Sequence, residues 1–140
     1  MVKMSIENLP PTLKKIRLVA IEATNRCRFL KSTTYVGVAL LSTYHKVYSG
    51  CNFDYEFGIA RHGEDTAICN FIINSVDVEE LIDSVYLYVP KRKEFTPCGN
   101  CRDKLRLFAE NKETLKIYLD NGEDVRVFSL NELIPFYPMR

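Results

Sequence analysis

Two short motifs, far apart in the sequence, carry the side chains best suited to chemistry. The first is His-Gly-Glu at residues 62–64, and the second is Pro-Cys-Gly-Asn-Cys at residues 97–101. An imidazole and two thiols suit zinc, and three protein ligands leave the fourth position of a tetrahedral ion open for water. His62, Cys98 and Cys101 are therefore the predicted ligands of one Zn²⁺ per subunit.

Glu64 lies two residues after the first predicted ligand and is not needed as a ligand itself. Its carboxylate is free to move protons beside the metal, and a bound zinc ion can lower the pKa of its water molecule to about 7. General acid–base catalysis of this kind typically contributes about 10²–10⁴-fold. Glu64 is therefore the predicted catalytic residue.

Neither motif is specific alone, since Cys-x-x-Cys also suits structural zinc or a redox pair. The 33 residues between Glu64 and Cys98 have room for the rest of one helix, a crossover and one strand. Each motif would then start a helix, where the positive end of the helix dipole favours a thiolate. A non-enzymatic, zinc-stabilised interaction domain is the rival interpretation. Glu64 counts against it, because a structural site usually fills its fourth position with another His or Cys.

The hydrophobic pattern predicts the elements that hold these motifs. Helices are predicted from Pro10 to about residues 26–31, from His62 to Asn74, from Pro97 to Asn111 and from Leu130 to Ile134, with one helical turn within Asp77–Asp83. Strands are predicted at Thr33–Leu41, Val47–Cys51, Ser84–Val89, Leu115–Leu119 and Val125–Phe128. This order predicts a three-layer α/β/α fold with a five-stranded mixed sheet. The length of 140 residues predicts one domain spanning residues 1–140.

Composition limits the partners. The 19 Lys and Arg nearly balance the 18 Asp and Glu, so the basic excess typical of a nucleic-acid binder is missing. The basic run at residues 91–93 is interpreted as a solvated loop. The longest apolar run, Tyr35–Leu41, is far short of the ~20 residues of a membrane span. Five cysteines, an odd number, favour a reducing cytoplasmic setting over a disulfide framework.

Beyond the two motifs, the chain resembles the small single-domain form of the cytidine deaminase family over nearly its whole length. The pairing of His-x-Glu with a later Pro-Cys-x-x-Cys is the signature of zinc nucleobase deaminases. Further matching blocks are Val-Gly-Val-Ala-Leu-Leu at 36–41, Ser-Gly-Cys-Asn at 49–52, Thr-Pro-Cys-Gly-Asn-Cys-Arg at 96–102 and Glu-Leu-Ile-Pro at 132–135. The resemblance implies zinc-dependent hydrolytic deamination of free cytidine or deoxycytidine, in pyrimidine salvage.

The resemblance also implies substrate contacts. Asn52 would hydrogen-bond the ribose, the carbonyl of Thr96 would meet the leaving amine, and Gly63 would line the base pocket. Phe136 or Tyr137 would reach the pocket of a neighbouring subunit in a homotetramer. Each contact has a simpler alternative: Asn52 as a loop-capping amide, and the C-terminal aromatic pair as ordinary packing.

Several positions depart from the family pattern. The third ligand is His62 where the small form usually has Cys, and Asp65 follows Glu64 where Arg is common. Asp54 stands where nucleoside deaminases carry Glu, and is either a sugar contact or a solvated loop acid. Thr34 aligns with a pyrimidine-stacking Phe, while Tyr35, one residue along a strand, faces the opposite side. These changes resemble blasticidin S deaminases, so a modified cytosine compound is the alternative substrate.

Overall fold

The protein is described by a computed structural model covering residues 1–30, 33–55 and 60–134. In chain order its elements are β1 (Val2–Ser5), α1 (Pro11–Ala23), β2 (Gly37–Ser42), β3 (Val47–Cys51), β4 (Phe53–Asp54), β5 (Ala60–Arg61), α2 (Gly63–Asn74), β6 (Ile82–Tyr88), α3 (Gly99–Phe108), β7 (Lys116–Asp120), β8 (Asp124–Ser129) and α4 (Leu130–Leu133). None of the helices in these ranges is long and apolar enough to cross a bilayer.

The main sheet has the strand order β1-β8-β7-β6-β2-β3. Strands β6 and β7 pair in parallel, and the other neighbours are antiparallel, so the sheet is mixed as predicted. The described residues give it six strands, where the sequence predicted five. The additional strand is β1, in which Val2 pairs with Val127 and Ser5 with Asp124. Its four residues are mostly exposed, so they show too little hydrophobic pattern to indicate a strand. The strand forms because the edge of β8 pairs with it.

Helices cover both faces of the sheet, which confirms the three-layer architecture. Alternate strand side chains face opposite sides of a sheet, and the core divides accordingly. One cluster joins Ile16 and Ala20 of α1 to Ala39 and Tyr86 of the sheet. The other cluster packs α2 and α3 on the opposite face, with Ala67, Phe71 and Leu105 against Val38, Leu40, Val85 and Leu87.

Two glycines let helices lie directly on the sheet. A Cβ at Gly50 of β3 would stand 2.2 Å from the backbone nitrogen of Ala67 in α2. A Cβ at Gly37 of β2 would stand 1.9 Å from the carbonyl oxygen of Ala20 in α1. Both distances are far inside van der Waals contact, so any larger residue would push a helix away from the sheet. The contact between Gly50 and Ala67 sets the distance of α2 from the sheet. It therefore also sets the position of the His-Gly-Glu motif at the start of α2.

Some predicted boundaries are wrong in ways that concern the site. The strand predicted from Thr33 begins only at Gly37, because the preceding residues are bonded to the side chain of Asn52 rather than to a neighbouring strand. Pro97 lies outside α3, which begins at Gly99 with Cys98 as its N-cap. In place of the helical turn predicted within residues 77–83 there is one hydrogen-bonded turn, in which the N–H of Glu80 donates to the carbonyl of Asp77 at 3.3 Å, and β6 already begins at Ile82.

Candidate metal and substrate site

The three predicted ligands come together although 35 residues separate His62 from Cys98. Their ligand atoms all lie within 4.8 Å of one another. The Nδ1 atom of His62 is 3.3 Å from the Sγ atom of Cys101 and 3.4 Å from that of Cys98. Zinc bonds of about 2.3 Å to sulfur and 2.0–2.1 Å to nitrogen place such atoms about 3.5 Å apart around a tetrahedral ion. The donor set therefore fits zinc.

The ligands stand at the beginnings of two helices, as the sequence predicted. His62 is the N-cap of α2 and Cys98 is the N-cap of α3. The backbone N–H of Cys101 points at the Sγ atom of Cys98, 3.4 Å away. Burial, together with the carboxylate of Glu64, raises the pKa of the Cys101 thiol. A bound metal ion beside Cys101 would stabilise its thiolate form.

Gly63 fits a narrow space between the two functional residues of its motif. A Cβ there would stand 2.9 Å from Cγ2 of Val38 and 3.1 Å from the carbonyl oxygen of Val36. A larger residue would lift the start of α2 off the sheet. Gly63 therefore lets both of its neighbours, the predicted ligand His62 and the carboxylate of Glu64, lie close to β2. Gly63 also lines the cavity described below.

Glu64 is only 4 % exposed, so its carboxylate is withdrawn from bulk water. Burial raises its pKa, and its contact with Cys101 acts in the opposite direction. A carboxyl group with a raised pKa exchanges protons near neutral pH more readily than an ordinary glutamate. Glu64 therefore combines a position beside the ligands with the property expected of a proton carrier.

A cavity of about 320 Å³ opens over these residues, and its lining includes His62, Glu64 and Cys98. Its apolar lining includes the side chains of Phe29, Val36, Leu87, Val89 and Phe95. The volume lies at the small end of the range for small-molecule sites, which are mostly apolar with a few placed polar groups.

Asn52 and Asp54 both line this cavity. The Asn52 amide donates to the carbonyl of Thr34 at 2.7 Å, and its oxygen accepts from the N–H of Val36 at 2.9 Å. Asn52 therefore acts at least as the loop-capping amide considered above. Asp54 is half-buried and accepts a hydrogen bond from the N–H of Leu30.

Arg102 fixes the segment before α3. Its guanidinium donates to the carbonyl of Pro97 at 2.7 Å, to Oγ1 of Thr96 at 2.7 Å and to the carbonyl of Leu133 at 2.9 Å. Thr96 lines the cavity. The fork of Arg102 therefore joins the cavity wall to the end of α4, a role that the sequence motif did not indicate.

Thr34 and Tyr35 face different surroundings, as expected for adjacent residues of an extended chain. Thr34 lines the cavity, whereas Tyr35 is 47 % exposed and its ring packs edge-on against Phe29. Phe136 and Tyr137 lie outside the described residues.

Sequence reasoning missed several cavity residues, among them Phe29, Phe95, Arg61 and Arg92. Phe95 directly precedes the Thr-Pro-Cys motif, and this adjacency was the only sequence feature that could have indicated its place at the cavity. Arg92 belongs to the basic run interpreted as a solvated loop, and nothing in that run distinguishes the residue that turns towards the cavity.

Comparison with known proteins agrees with this geometry. Residues 11–115 match the family model described as "Cytidine and deoxycytidylate deaminase zinc-binding region". A cytidine deaminase of Mycoplasma genitalium is 24 % identical over 129 residues, covering 91 % of this chain and 92 % of that protein. The crystal structure of the Burkholderia pseudomallei cytidine deaminase superposes with a TM-score of 0.76 at 26 % identity, covering 89 % of this chain and 98 % of the other. The Mycobacterium leprae cytidine deaminase gives a TM-score of 0.72 at 21 % identity, covering 88 % and 97 %.

A site with a zinc donor set and a buried glutamate, on this fold, defines a zinc-dependent deaminase. The chain belongs to the cytidine and deoxycytidylate deaminase family, because the family model matches three quarters of its length. The predicted enzyme class, fold and zinc cofactor are thereby confirmed.

Proposed function

We propose that this protein catalyses the zinc-dependent hydrolytic deamination of a free cytosine nucleoside, releasing ammonia and the uracil nucleoside. One observation carries the proposal: buried Glu64 stands beside three zinc-ligand atoms at the wall of a cavity. The similarity to proteins named cytidine deaminases supports the choice of a cytosine nucleoside.

Each residue of the site has a distinct role in this reaction. His62, Cys98 and Cys101 would hold zinc, which supplies a water molecule acidified for attack on the cytosine ring. Glu64 would take one proton from the attacking water and deliver it to a ring nitrogen. It would then take the remaining proton of the new hydroxyl group on the ring and deliver it to the departing amine. Its position inside the protein keeps that proton from exchanging with bulk water between the steps. The carbonyl of Thr96 would accept a hydrogen bond from the leaving amine.

The sugar would lie against Asn52 and Asp54. Because the Asn52 amide also orders the segment from Thr34 to Val36, it would shape the sugar pocket as well as touch the ribose. Asp54 lines the cavity beside Asn52, and its carboxylate would accept a hydrogen bond from a sugar hydroxyl. Gly63 would contribute the close wall beside the base.

A modified cytosine compound, as used by blasticidin S deaminases, is the second candidate. Its supporting observation is Thr34, which lines the cavity where a stacking Phe is expected. Phe95 also lines the cavity and would supply an aromatic face from a different segment. A cytosine ring can therefore be stacked without an aromatic residue at position 34.

We further propose that the protein assembles as a homotetramer in the cytoplasm and serves pyrimidine salvage. Large apolar side chains on the surface of α2 and the following turn support self-association: Ile72 is 52 % exposed, Ile73 79 % and Val78 93 %. If these side chains form one contiguous apolar surface, a second copy of the chain would cover it. Phe136 or Tyr137 would complete a neighbouring pocket. All five cysteines are free thiols, consistent with a reducing compartment.

The experiment that tests this function is a deamination assay of the zinc-loaded protein over cytidine, deoxycytidine, CMP, blasticidin S and guanine. We expect turnover of cytidine and deoxycytidine and none of guanine. Turnover confined to blasticidin S would replace the first candidate by the second. Deamination of none of the five would refute both. Light scattering at micromolar concentration tests the assembly, and a monomer would exclude a shared pocket.

A further inference from the structure

Two cysteines that are not predicted metal ligands lie beside Asn52, the proposed sugar contact. The thiol of Cys27 donates a hydrogen bond to Oδ1 of Asn52 at 3.2 Å, and Cys51 directly precedes Asn52 at the end of β3. We propose that Cys27 and Cys51 form a reversible disulfide that weakens substrate binding through Asn52. The effect on the substrate rests on the deaminase function proposed above, whereas formation of the disulfide does not.

The backbone brings Cys27 alongside the end of β3. Arg28 forms a parallel bridge with Phe53, and the N–H of Asp54 donates to the carbonyl of Arg28 at 3.0 Å. Paired chains in a sheet lie about 4.8 Å apart, and disulfides usually join residues whose Cα atoms are about 4.4–6.8 Å apart. Cys27 therefore lies beside the end of β3 at a separation that a disulfide can span.

The side chain of Cys51 points towards the segment that carries Cys27. Cys51 pairs with Gly37 in the register of β2 and β3, and directly paired residues have their side chains on the same face of a sheet. A Cβ at Gly37 would stand 2.9 Å from Cγ2 of Thr24, so this face is covered by the turn that follows α1. Cys27 is the residue at which that turn ends.

The two thiols contact each other and are accessible to a small molecule. Burial raises the pKa of the Cys51 thiol, and its contact with Cys27 raises that pKa further, while Arg28 and Arg26 act in the opposite direction. Both cysteines are only partly buried, so a small oxidant can reach them. Within the described part of the chain, the cavity lining includes Asn52 but neither of these cysteines. A disulfide here would therefore act on the substrate through Asn52 rather than by filling the cavity.

The oxidant would be a low-molecular-weight disulfide. The thiolate of one cysteine attacks a sulfur of the oxidant, which forms a mixed disulfide and releases one reduced thiol. The second cysteine then attacks the protein sulfur of the mixed disulfide, forming the bond between Cys27 and Cys51 and releasing the other reduced thiol. The protein gives up two electrons and two protons, and the oxidant gains them.

Disulfide formation removes the hydrogen that Cys27 donates to Asn52. Oδ1 of Asn52 keeps the N–H of Val36 as a donor at 2.9 Å, and the amide nitrogen keeps its bond to the carbonyl of Thr34 at 2.7 Å. The amide is then held by fewer bonds in its orientation beside the sugar pocket. We expect a moderate effect on substrate binding, because a thiol is a weak donor.

The test exposes the zinc-loaded wild type to oxidised glutathione, with Cys27→Ser, Cys51→Ser and Cys69→Ser treated in parallel. Cys69→Ser is the matched control, because it removes an exposed thiol of α2 that is not a member of the pair. Peptide mass spectrometry after blocking of free thiols identifies the linked cysteines, and elemental analysis of the same samples measures zinc. The effect on the site is measured as kcat/KM on cytidine and as binding of uridine by calorimetry.

We expect a peptide that links Cys27 to Cys51 in the wild type and in Cys69→Ser, with zinc retained. In both proteins kcat/KM on cytidine should fall about three- to ten-fold, mainly through KM, as expected for one lost hydrogen bond. A reducing agent such as dithiothreitol should restore it. Cys27→Ser and Cys51→Ser should keep their activity in the oxidant.

Absence of the linked peptide, with zinc either retained or lost, would overturn the thiol pair. A linked peptide that leaves cytidine turnover and uridine binding unchanged would overturn the coupling to Asn52. Equal inhibition of the wild type and Cys27→Ser would do the same, because it would trace the loss to other thiols. If the reduced protein deaminates no cytosine compound, the proposed function fails, and the linked peptide together with uridine binding still decides this inference.

Discussion

Asp65 of α2 and Lys104 of α3 form an ion pair that joins the two helices carrying the predicted metal ligands. The same carboxylate accepts a hydrogen bond from the N–H of His62 at 3.2 Å. Asp65 therefore fixes the start of α2 and its separation from α3 at once. An acidic residue at position 65, where Arg was expected, therefore has a physical reason. The cation that pairs with Asp65 is Lys104 of the neighbouring helix.

Replacing Asp65 with Ala should weaken zinc binding about ten-fold, because groups that orient metal ligands typically contribute 10–100-fold to affinity. The free energy of unfolding should fall by about 1 kcal/mol from the lost cap. Competition with a chelating dye measures the zinc affinity, and urea denaturation measures the free energy of unfolding. Glu79→Ala, at an exposed position away from the site, is the control. An unchanged zinc affinity in Asp65→Ala would show that α2 and α3 hold their separation without this pair.

Glu64→Gln should retain zinc and fold but lose at least about two orders of magnitude in turnover, because the amide cannot carry the proton. Steady-state kinetics with elemental analysis of the same preparation measures both. Glu110→Gln, at an exposed site after α3, should match the wild type. Turnover near the wild-type rate in Glu64→Gln would remove this residue from the mechanism.

Asp54→Ala tests the sugar contact. If Asp54 bonds a ribose hydroxyl, the loss of that bond costs about 1–3 kcal/mol, or roughly ten- to a hundred-fold in kcat/KM on cytidine. Zinc content should not change. Free cytosine, which has no sugar, should be affected little. A change of less than about two-fold on cytidine would identify Asp54 as a loop acid without a role in binding the sugar.

Stability should depend on a polar network on the opposite face of the sheet. Asp120 is completely buried and accepts from Nε of Arg17 at 2.6 Å and from the hydroxyl of Tyr86 at 2.6 Å. Arg17→Leu leaves this carboxylate without its cation, which should cost about 3 kcal/mol of unfolding free energy. Lys14→Leu on the exposed side of α1 should cost far less. Equal unfolding midpoints for the two variants in urea would contradict this account.

Features encoded by local pattern were predictable from the sequence. Strand β3 has the predicted bounds, and α2 ends at Asn74 as predicted, because hydrophobic periodicity and capping are read within a few residues. His62, Cys98 and Cys101 were identified because ligand chemistry restricts the residue types at fixed spacing. Their roles, and the extent of the domain over residues 1–140, stay predictions.

Features that depend on distant partners were not predictable. Strand β1 exists because the edge of β8 pairs with it, and four mostly exposed residues do not reveal that partner. Arg92 turns to the cavity because Asn121, in the turn after β7, holds the residues on either side of it. The fork of Arg102 reaches Leu133, 31 residues away. In each case the two partners are far apart in the sequence, so no local sequence pattern indicates their contact.

The most direct test of the central claim follows uridine formation from cytidine by the wild-type protein before zinc removal, after removal by a chelator, and after restoration of one zinc per subunit. We expect turnover to disappear with the metal and to return with it, while His62→Ala and Cys101→Ala neither bind the restored zinc nor recover turnover. Serine variants of Cys27, Cys51 and Cys69 should behave as the wild type. Cytidine turnover that persists in the zinc-free protein, or a fully zinc-loaded protein that leaves cytidine unchanged, would contradict the account.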